Sequence, residues 1–415
     1  MRIIRKLSIG LPAVLLAAAA LCQSLPVANR PEDLGMSSQR LERIRVQMNA
    51  DIEGGRIPGA VLLIARNGKI AQLDALGFQE RKSQTPMRTD SIFRIASMSK
   101  PITSVAIMIL AEEGKLDIGA PVAQYLPEFK EVQVGVEKAV PKRPMTVQDL
   151  LRHTSGLTYG IFGKSAVDEL YKKSNFFASK SLAEMVAAIA RLPLAHQPGE
   201  FWEYSVSTDV LGRIVEVVSG MELDRFVAER ITGPLKMTDT GFYLNASQAA
   251  RLARPDSATT MGSIDPTAKP AVFSGGGGML STAGDYARFC QTMLNGGELD
   301  GVRILSPKTV ALMTSDQLPP STDRHTSVAT LLDAFGPTPE MGTSFGLGFA
   351  VRTDPGRNPV PGSVGDFSWG GIMGTYFWVD PKEKLVTVLM IQVPMATDVP
   401  YWRQTRALVY QALMD

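Results

Sequence analysis

Two cysteines and three histidines in 415 residues exclude most thiolate and histidine chemistries at the outset. His153, His196 and His325 form no H-E-x-x-H or H-x-H pair, and two thiols cannot complete a cysteine zinc site. A disulfide framework is excluded too, and a chain of this length does not need one. Cys290 lies in an apolar helical run and reads as a small core hydrophobe. There is no G-x-x-x-x-G-K-[ST] loop. The run Gly275 to Gly278 lacks the strand, helix and downstream acid of a dinucleotide site. No metal and no cofactor are therefore expected. A net charge of +2 gives no reason to expect nucleic acid as a partner.

Long apolar runs are absent except at the N-terminus. Arg2, Arg5 and Lys6 precede Leu11-Pro12-Ala13-Val14-Leu15-Leu16 and four alanines. That is the pattern of a secretory signal peptide over residues 1–22, too short to remain as a membrane span. Its removal takes three cations and leaves the mature chain close to neutral. Ala19-Ala20-Leu21-Cys22 resembles a lipoprotein box, although Leu21 is bulkier than the usual residue there. The expectation is an exported protein, periplasmic or secreted, with Cys22 as a candidate lipid anchor and no transmembrane span in the mature chain.

Residues 23–35 read as a linker, unstructured to about residue 31, and 36–53 as an amphipathic helix with Leu41, Ile44, Met48 and Ile52 on one face. Val61 to Ala65 and Ile70 to Asp74 flank Asn67-Gly68, the favoured two-residue hairpin turn. Helical patterns and loops dominate residues 101–260, with helices at 182–191 and 207–219. Thr146 opens a short capped helix ahead of His153-Thr154-Ser155-Gly156-Leu157. Strands follow at 345–352, 374–379 and 385–392, and a closing helix at 400–414. The fold class is α/β (α+β): an antiparallel sheet flanked by helices, built from both termini (36–100 and 261–415), with a mostly helical inserted domain (101–260). A site is expected in the cleft between the two.

Ser97-Met98-Ser99-Lys100 opens an apolar helical stretch in which Ile102, Val105, Ala106, Ile109 and Leu110 share one face and Gly114 ends the helix. Pro101 is tolerated in the first turn. A hydroxyl and an amine three residues apart then sit one turn apart on one side, at the positive end of the helix. This suits an activated serine nucleophile. The plain alternative is a serine that merely caps the helix. Ser97 is, however, the only serine with a lysine three positions later, and the apolar flanks make a solubility role for Lys100 unsuitable. Such a site needs a second base, and Tyr204, in a loop just ahead of a helix, is the candidate. Its competing reading is an amphipathic tyrosine at a domain rim.

Ser97-x-x-Lys100, Tyr204-Ser205-Val206 and Trp369-Gly370-Gly371 ahead of Gly374-Thr375-Tyr376 occur in this order. So do the accessory stretches His153 to Leu157 and Gly277 to Thr282. Together they resemble the class C β-lactamase and family VIII carboxylesterase superfamily over roughly residues 36–413. The resemblance implies a β-lactamase/transpeptidase-like fold and an acyl-enzyme mechanism. Ser97 would be the nucleophile, and Lys100 and Tyr204 would share the proton work, in an order the sequence leaves open. Trp369, Gly370 and Gly371 would line the substrate strand, and the N–H groups of Ser97 and Ile372 would form the oxyanion hole. Two positions depart from the lactamases: Val206 replaces an asparagine, and Trp369-Gly370-Gly371 replaces Lys-Thr-Gly. These changes remove polar partners for an anionic lactam and favour small neutral esters. His153 reads as a buried structural histidine, Trp378 as core, and Asp285 as a first-turn acid.

The leading expectation is thus a carboxylesterase acting on a small-molecule ester or amide. A β-lactamase, a D-amino-acid peptidase or an acyltransferase on the same fold stands beside it. A catalytically silent cell-envelope binding protein is the remaining alternative. The export reading predicts that protein recovered from its native host begins near Leu21, Cys22 or Gln23, with a lipid mass on Cys22 in the anchored form. N-terminal sequencing and intact mass check this, and a chain retained in the cytoplasm with its first 22 residues intact refutes it.

Overall fold

A computed structural model describes residues 24–256, 264–326, 336–393 and 401–415. The signal-peptide segment, including Cys22, and the expected domain boundary at 260/261 lie outside the described residues. Helix α1 (Ser38–Glu53) is capped by the Ser37 side chain. It leads into strands β1 (Gly59–Arg66), β2 (Lys69–Glu80), β3 (Thr85–Pro86) and β4 (Phe93–Arg94), then helix α2 (Ser99–Glu112). Helices α3 (Val147–Leu151), α4 (Ala166–Ser174), α5 (Leu182–Ala190), α6 (Ser207–Ser219), α7 (Leu223–Val227) and α8 (Ala246–Ala249) follow. Strand β5 (Leu280–Ser281) pairs with β4, and helix α9 (Ala283–Leu294) comes next. A two-stranded ribbon, β6 (Glu298–Leu299) and β7 (Val302–Arg303), precedes β8 (Thr343–Phe345), β9 (Ala350–Arg352), β10 (Phe367–Gly371), β11 (Thr375–Asp380) and β12 (Leu385–Ile391). The chain ends on a helix at Tyr401–Tyr410.

Among the described residues, eight strands form one antiparallel sheet in the order β3-β2-β1-β12-β11-β10-β9-β8. The first and last strands of the fold meet at its centre, Leu63 opposite Val388. The expected sheet built from both termini is therefore what forms. Period-two alternation divides its side chains cleanly. Val61, Leu63, Val388, Met390, Phe377 and Trp369 face the side covered by α9 and share one core with α2 and the helical insert. Ala60, Leu62, Ile64, Leu389, Ile391 and Trp378 face α1 and the C-terminal helix. Burial on both faces explains why β1 and β12 read as nearly continuous apolar runs. Asn67 and Gly68 both have positive φ (52° and 76°), as the expected tight turn requires.

Two expectations need correction. The segment read as a linker is ordered: Ile70 donates to the Pro26 carbonyl (2.8 Å), Ala28 donates to the Ile70 carbonyl (2.9 Å), and Leu25 is buried. Pro31–Leu34 then forms a 3-10 turn that Gly35 closes in the left-handed region. Strand β3 reaches only the far end of β2, so this polar segment covers an edge left open near Ile70. Residues 345–352, read as one strand, are instead the last residue of β8, a turn at 346–349 and the short strand β9. Gly346 donates to the Phe349 carbonyl (2.7 Å), and Gly348 at φ 100° reverses the chain.

On the outer face, Asp366 accepts from Arg352 Nε (2.8 Å) and from Arg406, tying β9 to the C-terminal helix. All three side chains are buried. Removing the shared carboxylate strands two guanidinium groups in the interior. Asp366→Ala should therefore lower unfolding free energy by about 3–5 kcal/mol. Urea titration followed by circular dichroism measures the change, and a loss below about 1 kcal/mol contradicts the account.

Candidate active site

The entry to α2 is built to present one hydroxyl. A 3-10 turn at Ala96–Met98 runs directly into the helix, starting from Ala96 at φ 45°. Ser97 therefore lies inside this turn rather than capping it, and Lys100 Nζ donates to its Oγ (3.2 Å). The structural duty falls to Ser99, whose Oγ donates to the Ala96 carbonyl (2.7 Å) and accepts from Met279 N–H (3.1 Å). Other elements hold the turn from outside. Tyr286 on α9 donates to the Met98 carbonyl (2.8 Å), and Thr375 on β11 donates to that of Ile95 (3.2 Å). The Ser97 N–H is at the second position of the turn, where the helix itself supplies no acceptor. Ser97 is half-exposed, while its neighbours from Ser91 to Ala96 and from Met98 onward are buried.

Lys100 is 1% exposed. Its ammonium also donates to the Gly276 carbonyl (2.6 Å) and lies 4.6 Å from the Tyr204 ring centre and 5.4 Å from that of Tyr159. These contacts, two of them cation–π, satisfy a buried amine without a directly bonded carboxylate. The glycine run makes the approach possible. A Cβ at Gly275 would sit 2.9 Å from the Thr208 carbonyl oxygen, and one at Gly276 would sit 2.6 Å from Asp209 Oδ2. Thr103 on α2 fixes the loop by donating to the Gly275 carbonyl (3.0 Å).

Tyr204 is 5% exposed, so the rim reading does not hold. Its ring packs against His153 (4.9 Å between centres), Trp369 (5.2 Å) and Tyr159 (5.5 Å). Trp369 Nε1–H donates to the Tyr204 hydroxyl oxygen (3.3 Å). The resemblance places Trp369 on the substrate strand. At 1% exposure its indole instead stands behind Tyr204 and holds it. His153 is buried as expected, its Nδ1 within 3.4 Å of Ser205 Oγ. Burial, with the Lys100 charge as a lesser cause, holds its pKa well below the ordinary histidine value, so the ring is neutral. Burial likewise pushes the Tyr159 phenol well above its ordinary range.

Beyond Ser368, strand β10 loses its β9 partner, so Trp369, Gly370 and Gly371 leave one edge of the sheet open beside the site. Gly371 passes so close to the Ile95 carbonyl that no side chain fits there. Ile372 follows in the turn, 37% exposed. Val206, immediately ahead of α6, is fully buried.

Residues 41–411 match the β-lactamase family. The chain belongs to that family. It is 38% identical over 358 residues to Protein Rv1367c of Mycobacterium tuberculosis, covering 82% of this chain and 87% of that one. Identity to esterase EstB of Burkholderia gladioli is 31% over 366 residues, with coverage of 81% and 86%. Among solved structures, EstCE1, a hydrolase with promiscuous acyltransferase activity, superposes with a TM-score of 0.75 at 28% identity, covering 90% of this chain and 99% of that one. This β-lactamase-family protein is a serine hydrolase with esterase and acyltransferase relatives.

Sequence reasoning did not single out Asp209 in this β-lactamase-family site. On the first turn of α6, it accepts from Ser274 Oγ (2.6 Å) and Gly276 N–H (3.1 Å) while 1% exposed. Burial raises its pKa above the usual carboxylate value, with the Ser274 hydroxyl and the Lys100 charge pulling the other way. From sequence it is an ordinary first-turn acid. The packing at Gly276 yields a direct test. Gly276→Ala drives a methyl group into the Asp209 carboxylate and displaces the carbonyl that receives Lys100. Labelling of Ser97 by a fluorophosphonate should slow by about 100-fold with the fold retained. Intact mass spectrometry and circular dichroism check this, and an unchanged labelling rate refutes it.

Proposed function

We propose that the protein is an exported carboxylesterase that cleaves small neutral esters through an acyl intermediate on Ser97. The observation that carries this reading is the contact of buried Lys100 with Ser97 Oγ on one side and the Tyr204 ring on the other. In the first half-reaction Ser97 Oγ bonds to the ester carbonyl carbon, and its proton passes to the Tyr204–Lys100 pair. That proton then goes to the departing alkoxide as the ester C–O bond breaks, leaving acyl-Ser97. Water enters next and gives a proton to the same pair as its oxygen bonds to the acyl carbon. The carboxylic acid leaves and the proton returns to Ser97. The N–H groups of Ser97 and Ile372 are the assigned donors to the oxyanion, and losing one such donor typically costs about 100- to 1,000-fold.

The ester preference rests on Val206 and Trp369. A buried valine offers no hydrogen bond where the lactamases of the resemblance have an amide, and the indole N–H is directed to Tyr204. Kinship to an esterase at 31% identity supports the same choice. The reading predicts measurable hydrolysis of p-nitrophenyl butyrate that falls by at least about a thousand-fold in Ser97→Ala. Steady-state kinetics beside a chromogenic cephalosporin decides the substrate class. Cephalosporin turnover equal to or above ester turnover overturns the ester assignment, and full activity in Ser97→Ala overturns the nucleophile.

A further inference from the structure

Lys100 brings its amine into a site where its direct contacts are a hydroxyl, a carbonyl and two aromatic faces. The titratable groups around it are Tyr204, Tyr159 and His153 from the insert, and Asp209 on α6. Buried His153 is neutral and brings no counter-charge. Tyr159 is held neutral by burial. Asp209 is the carboxylate of this group. Its Oδ1 accepts from Ser274 Oγ and Gly276 N–H, the pattern of an ionised acceptor. Its Oδ2 has no hydrogen-bond partner, so a proton placed there would go unpaired. Gly276 thus gives its N–H to the carboxylate while its carbonyl takes the ammonium.

We propose that Asp209 is the buried counter-charge of Lys100, a positioning residue that acts across Gly276 to keep Lys100 an ammonium ion aimed at Ser97. The inference rests on the Ser97 nucleophile proposed above and names how its lysine is controlled. An ammonium that stays charged through the cycle leaves the proton from Ser97 to the Tyr204 oxygen and serves as its electrostatic support. Asp209 touches neither substrate nor the reacting atoms. Its effect is felt through Lys100 and through the glycine loop.

Asp209→Asn separates the charge from the shape. Its amide oxygen can keep both accepted hydrogen bonds, so the loop retains its support. Removing a buried negative charge makes proton loss easier from both Lys100 and Tyr204. Both limbs of the pH profile for Ser97 phosphonylation should therefore move to lower pH by about one unit. Asp209→Glu, which restores the carboxylate, should return the limbs toward wild type even at a lower rate. Limbs that stay in place while the rate falls mean that Asp209 only props the loop, and that overturns the proposal. The unsubstituted enzyme supplies a second measurement in case Asp209→Asn does not fold. With lysine labelled at 15Nζ, Lys100 should show an ammonium resonance at neutral pH that is missing from Lys100→Met, and a free-amine resonance overturns the proposal. Phosphonylation needs no ester substrate, so its pH profile is independent of substrate class. Absence of labelling at Ser97 in wild type marks failure of the nucleophile assignment instead.

Discussion

The energetic demand that organises this molecule is the burial of the Lys100 amine. An ammonium ion removed from water is tolerated only where acceptors and π faces replace its hydration shell. Here no single element supplies them. Ser97 comes from the turn before the amine, the Gly276 carbonyl from a loop 176 residues later, and the Tyr204 and Tyr159 faces from the helical insert. The amine is satisfied only once the sheet, the insert and the glycine loop have closed around it. In the proposed mechanism, stability and reactivity are therefore joined at one atom. A change that loosens any of the three partners leaves a buried cation short of acceptors and the Ser97 hydroxyl short of its neighbour.

The sheet gives that arrangement its rigidity. The centre of the fold is a pairing of its first and last strands, β1 with β12, and helices cover both faces. The Ser97 turn rests on this platform through Ile95 against Gly371 and Thr375, and through Met98 against Tyr286. Reacting groups held by strands and helices keep their geometry to fractions of an ångström, on which rate depends steeply. The open edge of β10 at Trp369 to Gly371 then places unpaired backbone next to a serine that cannot drift.

How much of this could be read from residues alone depended on distance along the chain. Ser97 and Lys100 were legible because one helical turn joins them and the apolar period around them is strong. The central sheet was legible for a similar reason, since Asn67-Gly68 fixes a hairpin locally. Tyr204 needed the resemblance, because its partners lie far away in sequence. Asp209 escaped because its local chemistry, a first-turn acid, accounts for it fully until Gly276, 67 residues on, is brought against it. The segment 23–35 was misread because its pairing to Ile70 uses backbone groups, which composition does not register. The 345–352 run was misread because an apolar pattern says nothing of the positive φ at Gly348. The direction of the Trp369 N–H was equally hidden, being a property of tertiary packing.

The same packing separates the chemistry from the choice of substrate. Polar groups around Ser97 are largely engaged with one another. The Trp369 N–H is on the Tyr204 oxygen, Lys100 is on Gly276, and Ser155, Ser205 and Ser207 form a hydroxyl chain that ends at His153. A substrate carboxylate entering such a site gives up its hydration and meets donors already committed. Each charged hydrogen bond lost in that way costs about 1.5–3 kcal/mol. A neutral ester carries no such debt. It needs only two N–H groups for the oxygen that becomes charged during the reaction, and an apolar bed for its acyl chain. The selectivity for neutral acyl groups proposed above would then follow from what surrounds the proposed reacting atoms rather than from those atoms themselves.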